Sequence, residues 1–296
     1  MKLLIVYNKF SRNNKERQFN KIKDTLNSRY ETSVFLSCGV KSITNHIIEN
    51  GQNFDIICAI GGDGTVNEAV NGIMKLEKKP KLAIIPFGTC NDISKSLRIR
   101  NVKKALKMIN NNDFHNHNVF KINDNYFVYG LAAGGVSNIS YKVDRKQKKI
   151  LGKNAYYLNT LKAIFEKNPK IHLEIDDGKR IIEDTFYLML ALNTRYLAGF
   201  RVVGTQKYYN DSKLHIALFK KQHRLQGFLA FTFFILFGKT NKNMIIFDAD
   251  KLTIACEEGT IFNTDGEELK APTTKLEISC ITNELIILGK EKKKEN

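Results

Sequence analysis

The chain has 296 residues, 43% hydrophobic and 26% charged, with a formal net charge of +17; this is enough chain for two domains with separate cores and an ordinary composition for a folded protein. Its five cysteines contain no Cys-x-x-Cys pair, which argues against a disulfide framework or a zinc site and for a reducing cytoplasm, and the opening run Met1–Tyr7 is too short for a signal peptide. The positive excess is spread along the chain and favours an anionic surface or substrate; nucleic acid is not expected, since no helix-turn-helix signature, zinc-finger spacing or RNA-binding aromatic motif is present.

Residues 1–112 alternate strand and helix. Leu3–Val6 reads as a buried strand, and Phe19, Ile22 and Leu26 mark a helix face. Val34–Leu36 is a second strand, followed by a helix marked by Ile43, Ile47 and Ile48 with Ser42 as its expected N-cap. Ile56–Ile60 is a third strand, and Val66, Ala69, Val70, Ile73 and Met74 predict a helix starting near Thr65. Leu82–Ile85 is a fourth strand, and Asn101 caps a helix carrying Val102, Ala105, Leu106 and Ile109. This order predicts a doubly wound parallel sheet, in which ligands sit beyond the carboxyl ends of the strands.

From about Phe120 the pattern becomes antiparallel. Ile171, Leu173 and Ile175 alternate with polar residues, Asp177-Gly178 supplies a hairpin turn, and Phe186–Leu192 follows as a strand. Leu214, Ile216 and Leu218 alternate too, as do Leu252 with Ile254 and Leu276 with Ile278. Helices are expected over Ala155–Lys167 and Leu225–Phe237. The fold class is therefore α/β plus all-β: a nucleotide-binding domain over residues 1–125, an antiparallel β-sandwich or barrel over 126–290 whose last strand is free to return to the first domain, and a basic tail at 291–296.

Gly61-Gly62-Asp63-Gly64-Thr65 joins the third strand to its helix. Glycines at such a junction let backbone approach a phosphate and permit positive φ, while the helix N-terminus presents N–H groups and partial positive charge. Asp63 would act through Mg²⁺ or a sugar hydroxyl. The alternative is a plain Asp-Gly turn; the spacing matches neither a Walker A loop nor a dinucleotide fingerprint. Gly88-Thr89-Cys90-Asn91-Asp92, after the fourth strand, occupies the equivalent position and can line the same site.

These motifs, with Asn67-Glu68, Pro86 and Asp265-Gly266-Glu267, resemble the diacylglycerol kinase catalytic-domain family, in its bacterial lipid kinase branch related to sphingosine kinases. Leu131-Ala132-Ala133-Gly134-Gly135 and Gly152-x-x-Ala155-Tyr156-Tyr157 resemble that family's linker between domains. The glycine motif alone also occurs in NAD kinases and resembles the loop of phosphofructokinases. The resemblance implies transfer of the ATP γ-phosphate to a lipid hydroxyl, most simply that of diacylglycerol, with ATP between the domains. A sphingoid base, ceramide or phosphatidylglycerol as acceptor, or a non-catalytic membrane-binding protein, are the alternatives.

By position, the resemblance assigns the nucleotide to Asn8, Ser37, Gly61, Gly62, Asp63, Gly64, Thr65, Asn67, Glu68, Gly88, Thr89 and Asn91. It places the proton acceptor on Glu267 with Asp265 beside it, although an acidic surface turn would give the same three letters. A structural Mg²⁺ would use the Asp211 side chain and the carbonyls of Tyr208 and Lys213, with Ser212 where the family has Gly. The first loop, Asn8-Lys9-Phe10-Ser11-Arg12, lacks the family's Pro and Gly. The implied partners are a lipid substrate and an anionic membrane surface, with peripheral attachment to the inner face, and a homodimer is left open. Leu225–Phe237, flanked by Lys220, Lys221, Arg224, Lys239 and Lys242, is a candidate for membrane contact, with Arg145, Lys146, Lys148 and Lys149 as a possible extension of that surface; a helix buried against the β-domain is the alternative.

Overall fold

The structure, a computed structural model, describes residues 1–8, 16–134, 170–197, 199–202, 210–220 and 223–290. Two compact units emerge: Met1–Val119 with the chain from Thr282 onward, and Phe120–Ile281. The helix expected at Ala155–Lys167, the basic run at 145–149, Arg12, Tyr208 and the 291–296 tail lie outside the described residues.

The first unit runs β1 (Lys2–Tyr7), α1 (Glu16–Asn27), β2 (Glu31–Leu36), α2 (Ser42–Asn50), β3 (Ile56–Gly61), α3 (Asp63–Ile73), β4 (Lys81–Pro86), α4 (Asp92–Ser96) and α5 (Val102–Asn110), and β5 (Phe114–Ile122) leads out of it. The strands are parallel in the order β2-β1-β3-β4. All six residues of β3 are buried, as expected of a short Ile-rich strand inside an α/β sheet, while β2 at the edge is largely exposed. Helix α1 buries Phe19, Ile22 and Leu26, and Asn101 caps α5 by accepting the Lys104 N–H at 2.8 Å.

Two helix starts differ from the sequence reading. Helix α3 begins at Asp63 instead of near Thr65, because Gly62 takes the cap position and its carbonyl accepts the Val66 N–H at 3.2 Å. Ser42 is the first residue of α2, not its N-cap. Lys41 holds the cap position at φ 58°, and the Ser42 hydroxyl donates to the Gly39 carbonyl at 2.8 Å.

The second unit contains β6 (Asn125–Phe127), β7 (Gly130–Gly134), β8 (Ile171–Asp176), β9 (Ile181–Leu192), the short pair β10 (Tyr196–Leu197) and β11 (Phe200–Arg201), and β12 (Leu214–Lys220). Helix α6 (Arg224–Phe237) follows, then β13 (Met244–Ala249), β14 (Lys251–Ala255), β15 (Ile261–Thr264), β16 (Glu267–Lys270) and β17 (Lys275–Leu288). The order is β16-β15-β7-β9-β8-β14-β17, with β12 joining β9 to β13; these pairings are antiparallel. The end of β17 returns to the first unit, where Ile287 pairs in parallel with Leu82.

Residues from β5 to β9 and from β12 to β17, including Phe120, Phe127, Leu173, Phe186, Ile216, Ile254, Phe262 and Leu276, enclose one apolar core. The β8–β9 turn is the expected Asp-Gly hairpin: Gly178 has φ 78°, and Asp177 Oδ1 accepts the N–H groups of Lys179 and Arg180 at 2.9 Å. Alternation misleads at β12, where Leu214–Phe219 are all buried. Its second face, through Ala217 and Phe219, packs against Phe231 and Phe234 of α6.

Candidate active site

The first unit gathers its candidate residues at the carboxyl edge of the parallel sheet. Asn8 follows β1 and donates its N–H to Ile60 O at 3.4 Å; Ser37 follows β2 and donates to Tyr7 O at 2.9 Å. The Gly61 carbonyl accepts the N–H groups of Phe87 (2.8 Å) and Gly88 (3.1 Å), which ties the loop after β3 to the loop after β4. The two loops touch backbone to backbone. A Cβ on Gly88 would lie 2.4 Å from Gly62 Cα, and one on Gly61 would lie 2.2 Å from Thr65 Oγ1.

The glycines therefore serve close approach. Positive φ, the other use expected of them, is not what they supply: Gly62 sits at φ −97°, and none of Gly61, Gly62, Gly64 and Gly88 is among the positive-φ glycines. Positive φ appears instead at Asn91 (54°), whose side chain brackets Gly88 by accepting its N–H at 2.8 Å and donating to its carbonyl at 3.0 Å. Asp63 Oδ1 accepts the Ile93 N–H at 2.9 Å, so the carboxylate at the start of α3 also fixes the start of α4.

Exposure divides the set. Gly62, Asp63, Gly64, Gly88, Thr89 and Asn91 keep partial exposure, whereas Gly61, Ser37, Thr65 and Asn67 are buried. Thr65 lies against Gly61, and Asn67 Oδ1 accepts from Asn71 Nδ2 at 3.2 Å. Glu68 Oε2 accepts the Ile43 N–H at 3.0 Å, and its carbonyl accepts the Thr44 hydroxyl at 2.9 Å, so Glu68 holds the N-terminus of α2. Burial pushes its carboxyl above the usual range, opposed by hydrogen bonds from the backbone of Ile43, Thr44 and Lys41. Ser37 reaches Ser42 Oγ at 3.0 Å, a partner the sequence reading missed because it lies in the neighbouring helix start.

What remains open to a ligand is a floor of backbone from two loops, with the N-terminus of an eleven-residue helix opening on it. The first-turn N–H groups of such a helix have no intrahelical acceptors and carry partial positive charge. A Cβ at Gly62 or Gly88 would run into the backbone of the other loop, so glycine at both positions is what lets the two loops meet at this helix start; a helix N-terminus of this kind favours an anion such as a phosphate.

In the second unit, Asp265-Gly266 forms the two-residue loop of the β15–β16 hairpin, with Thr264 opposite Glu267 and φ of 53° and 92°. Two positive φ values in succession mark a type I′ turn, for which Asp-Gly is a preferred pair. The motif is thus a turn, but not a purely surface one. Asp265 is 1% exposed; its Oδ1 accepts the N–H groups of Tyr129 (2.7 Å) and Gly130 (3.0 Å), and its Oδ2 that of Val128 (2.9 Å). Glu267, two residues on, is exposed. The hairpin buries one carboxylate as an anchor and presents the other. No side-chain signal in the sequence marks residues 128–130 as the anchor's partners, because only their backbone takes part.

Asp211 is placed elsewhere in this unit. His215, 7% exposed, reaches Asp211 Oδ1 through Nε2 (3.3 Å) and Asp248 Oδ1 through Nδ1 (2.8 Å). The paired carboxylates raise its pKa against the opposing effect of burial. Asp211 Oδ1 also accepts the Lys213 N–H at 3.2 Å, and Ser212 adopts the φ of 68° for which glycine is better suited. Among the described residues no three His, Cys, Asp or Glu side chains gather as a metal site. The expected Mg²⁺ ligand set includes the Tyr208 carbonyl, which lies outside the described residues; within them Asp211 holds His215 and the Lys213 N–H.

Comparison with known proteins agrees with this layout. The family described as "Diacylglycerol kinase catalytic domain" matches residues 2–122. A diacylglycerol kinase of Bacillus subtilis (strain 168) is 29% identical over 243 residues, covering 80% of either chain, and one of Staphylococcus aureus (strain MRSA252) is 32% identical over 216 residues, 71% of this chain and 66% of that one. A crystal structure of a diacylglycerol kinase from Bacillus anthracis str. Sterne superposes with a TM-score of 0.79 at 28% identity, over 97% of this chain and 96% of that one. An NAD kinase from Archaeoglobus fulgidus in complex with ATP shares the fold alone, with a TM-score of 0.53 at 13% identity. On these matches the chain belongs to the diacylglycerol kinase catalytic-domain family.

Proposed function

We propose that this chain is an ATP- and Mg²⁺-dependent lipid kinase that phosphorylates diacylglycerol to phosphatidic acid at the surface of an anionic membrane, from the cytoplasmic side. The observation that carries the reading is the pair of glycine loops packed backbone to backbone at the N-terminus of α3, where first-turn N–H groups and partial positive charge favour a phosphate.

Phosphoryl transfer asks a protein mainly for positioning and charge stabilisation. Bound Mg²⁺–ATP supplies the transferable phosphoryl group with its charge partly neutralised. The backbone N–H groups at Gly62–Thr65 and the loop Gly88–Asn91 hold the phosphates, and Asp63 keeps the two loops in register through Ile93. Glu267 takes the proton of the acceptor hydroxyl as the new bond to phosphorus forms, a task an exposed carboxylate performs because the proton leaves late. Asp265 is a positioning residue: its three backbone hydrogen bonds fix the turn from which Glu267 projects.

The test is γ-labelled ATP with a panel of lipids in mixed micelles. Labelled phosphatidic acid is the expected product. Label on another lipid would move the substrate within the kinase class, and no labelled lipid from folded protein would overturn the reading.

A further inference from the structure

Helix α6 contradicts the usual rule for apolar helices. Its fourteen residues, Arg-Leu-Gln-Gly-Phe-Leu-Ala-Phe-Thr-Phe-Phe-Ile-Leu-Phe, are apolar nearly all round, a composition that normally means full burial. One face does pack inward, through Ala230, Phe231, Phe234 and Ile235. The other does not: Leu229, Phe233 and Leu236 are each 43% exposed and Phe237 is 58% exposed. At 100° per residue these four lie within an arc of about 100°.

Ile246, 43% exposed, adds to this surface. It pairs with Ala217, whose side chain belongs to the α6-facing cluster, so Ile246 lies on the same side of the sheet as the helix. Gly238 ends the helix at φ 65°, its N–H bonded to Phe234 O at 2.9 Å, and the exposed Lys239 and Lys242 follow at once. From Lys220 to Phe247 the sequence has five Lys or Arg and no Asp or Glu.

We infer that the Leu229–Phe233–Leu236–Phe237 face is the surface by which the protein seats on an anionic lipid bilayer, with Lys239 and Lys242 holding the headgroups. This rests on the lipid kinase reading, which requires access to a substrate dissolved in a membrane. The chemistry selects a bilayer. The arc offers carbon and no hydrogen-bonding group along Leu229–Phe237, the exposed Lys239 and Lys242 follow it directly, and a bilayer asks for no directional partner. At 1.5 Å per residue the helix is about 21 Å long, too short to span a hydrocarbon core of about 30 Å. It lies in the plane of the interface, apolar face down.

The sequence has no tryptophan, so Phe237→Trp provides a single reporter at the most exposed position. Titration with phosphatidylglycerol–phosphatidylcholine vesicles, without ATP or diacylglycerol, shifts its emission to the blue. Phe233→Gln/Phe237→Gln lowers vesicle partitioning at least 10-fold, whereas Phe233→Leu/Phe237→Leu retains it and shows that apolarity is what matters. Lys239→Gln/Lys242→Gln lowers it about 30-fold in anionic vesicles, as expected for two charges beside an anionic surface. All three variants keep wild-type turnover of a short-chain, water-soluble diacylglycerol. Absence of that turnover in the wild type would sink the kinase reading, while the vesicle results would still decide the docking face. An unshifted emission at saturating vesicle, equal partitioning of wild type and both Gln variants, or a dimer in sedimentation equilibrium that the Phe→Gln variant dissolves without losing vesicle binding, would each overturn the inference.

Discussion

Replacing Asp265 by Asn isolates the anchoring role assigned to the buried carboxylate. The amide oxygen can keep the two hydrogen bonds that Oδ1 accepts from Tyr129 and Gly130, but the NH₂ then faces the Val128 N–H, donor against donor. A hydrogen bond to a charged group contributes about 1.5–3 kcal/mol, and its loss leaves a buried donor without an acceptor. The backbone is not the cost, because Asn tolerates the φ of 53° as readily as Asp. The expected loss is therefore about 2–3 kcal/mol, or roughly 4–12 °C in melting temperature for a unit of this size. Asp265→Ala removes all three acceptors and places a Cβ residue at positive φ, so it loses more. Calorimetric unfolding reads both, with ATP titration as control, since the nucleotide loops lie in the other unit and keep their affinity. Glu267→Gln, at an exposed position, melts within about 0.5 kcal/mol of the wild type. An Asp265→Asn protein that melts with the wild type would refute the anchor and return the residue to the catalytic pair.

Gly88→Ala forces a Cβ to within 2.4 Å of Gly62 Cα, so it destabilises the first unit by about 1–3 kcal/mol and weakens ATP binding, measured by chemical denaturation and calorimetry. Asp63→Asn raises KM for ATP and alters Mg²⁺ dependence while leaving vesicle binding unchanged; steady-state kinetics at varied Mg²⁺ check it. Full burial, aided by His115, depresses the His117 imidazole from its ordinary 6.5 to about 3. The unfolded chain therefore takes up this proton below pH 6.5 and the folded one does not, so stability present above pH 6.5 falls by about 2 kcal/mol by pH 5. Urea denaturation at pH 7 and pH 5 shows a smaller loss for His117→Gln if that proton is responsible.

Much of the first unit is legible because its signals are local. Ile-rich strands, helical periodicity and the Asn101 cap each depend on a few neighbouring residues, and the structure places them as the letters suggest. The glycine motif gives the position of the loop but not the reason for the glycines. That reason is contact between Gly62 and Gly88, residues far apart in sequence, and a single chain carries no mark of it. Glu68 is similar: it reads as part of a nucleotide motif, yet its carboxylate is spent on the N-terminus of α2. In the second unit the alternating strands announce themselves where one face is solvated, as in β8. They do not where a helix covers the second face, as over β12. The division of labour in Asp265-Gly266-Glu267 is invisible in sequence because the anchor's partners are backbone groups of residues 128–130.

Steady-state kinetics of Glu267→Gln against wild type, with diacylglycerol in mixed micelles, tests in one experiment whether Glu267 takes the proton while the glycine loops bind ATP. An interaction made only in the transition state lowers kcat with little change in KM. The expected result is a kcat reduced by about 10²–10⁴-fold with KM for ATP unchanged. A near-normal kcat for Glu267→Gln would contradict it.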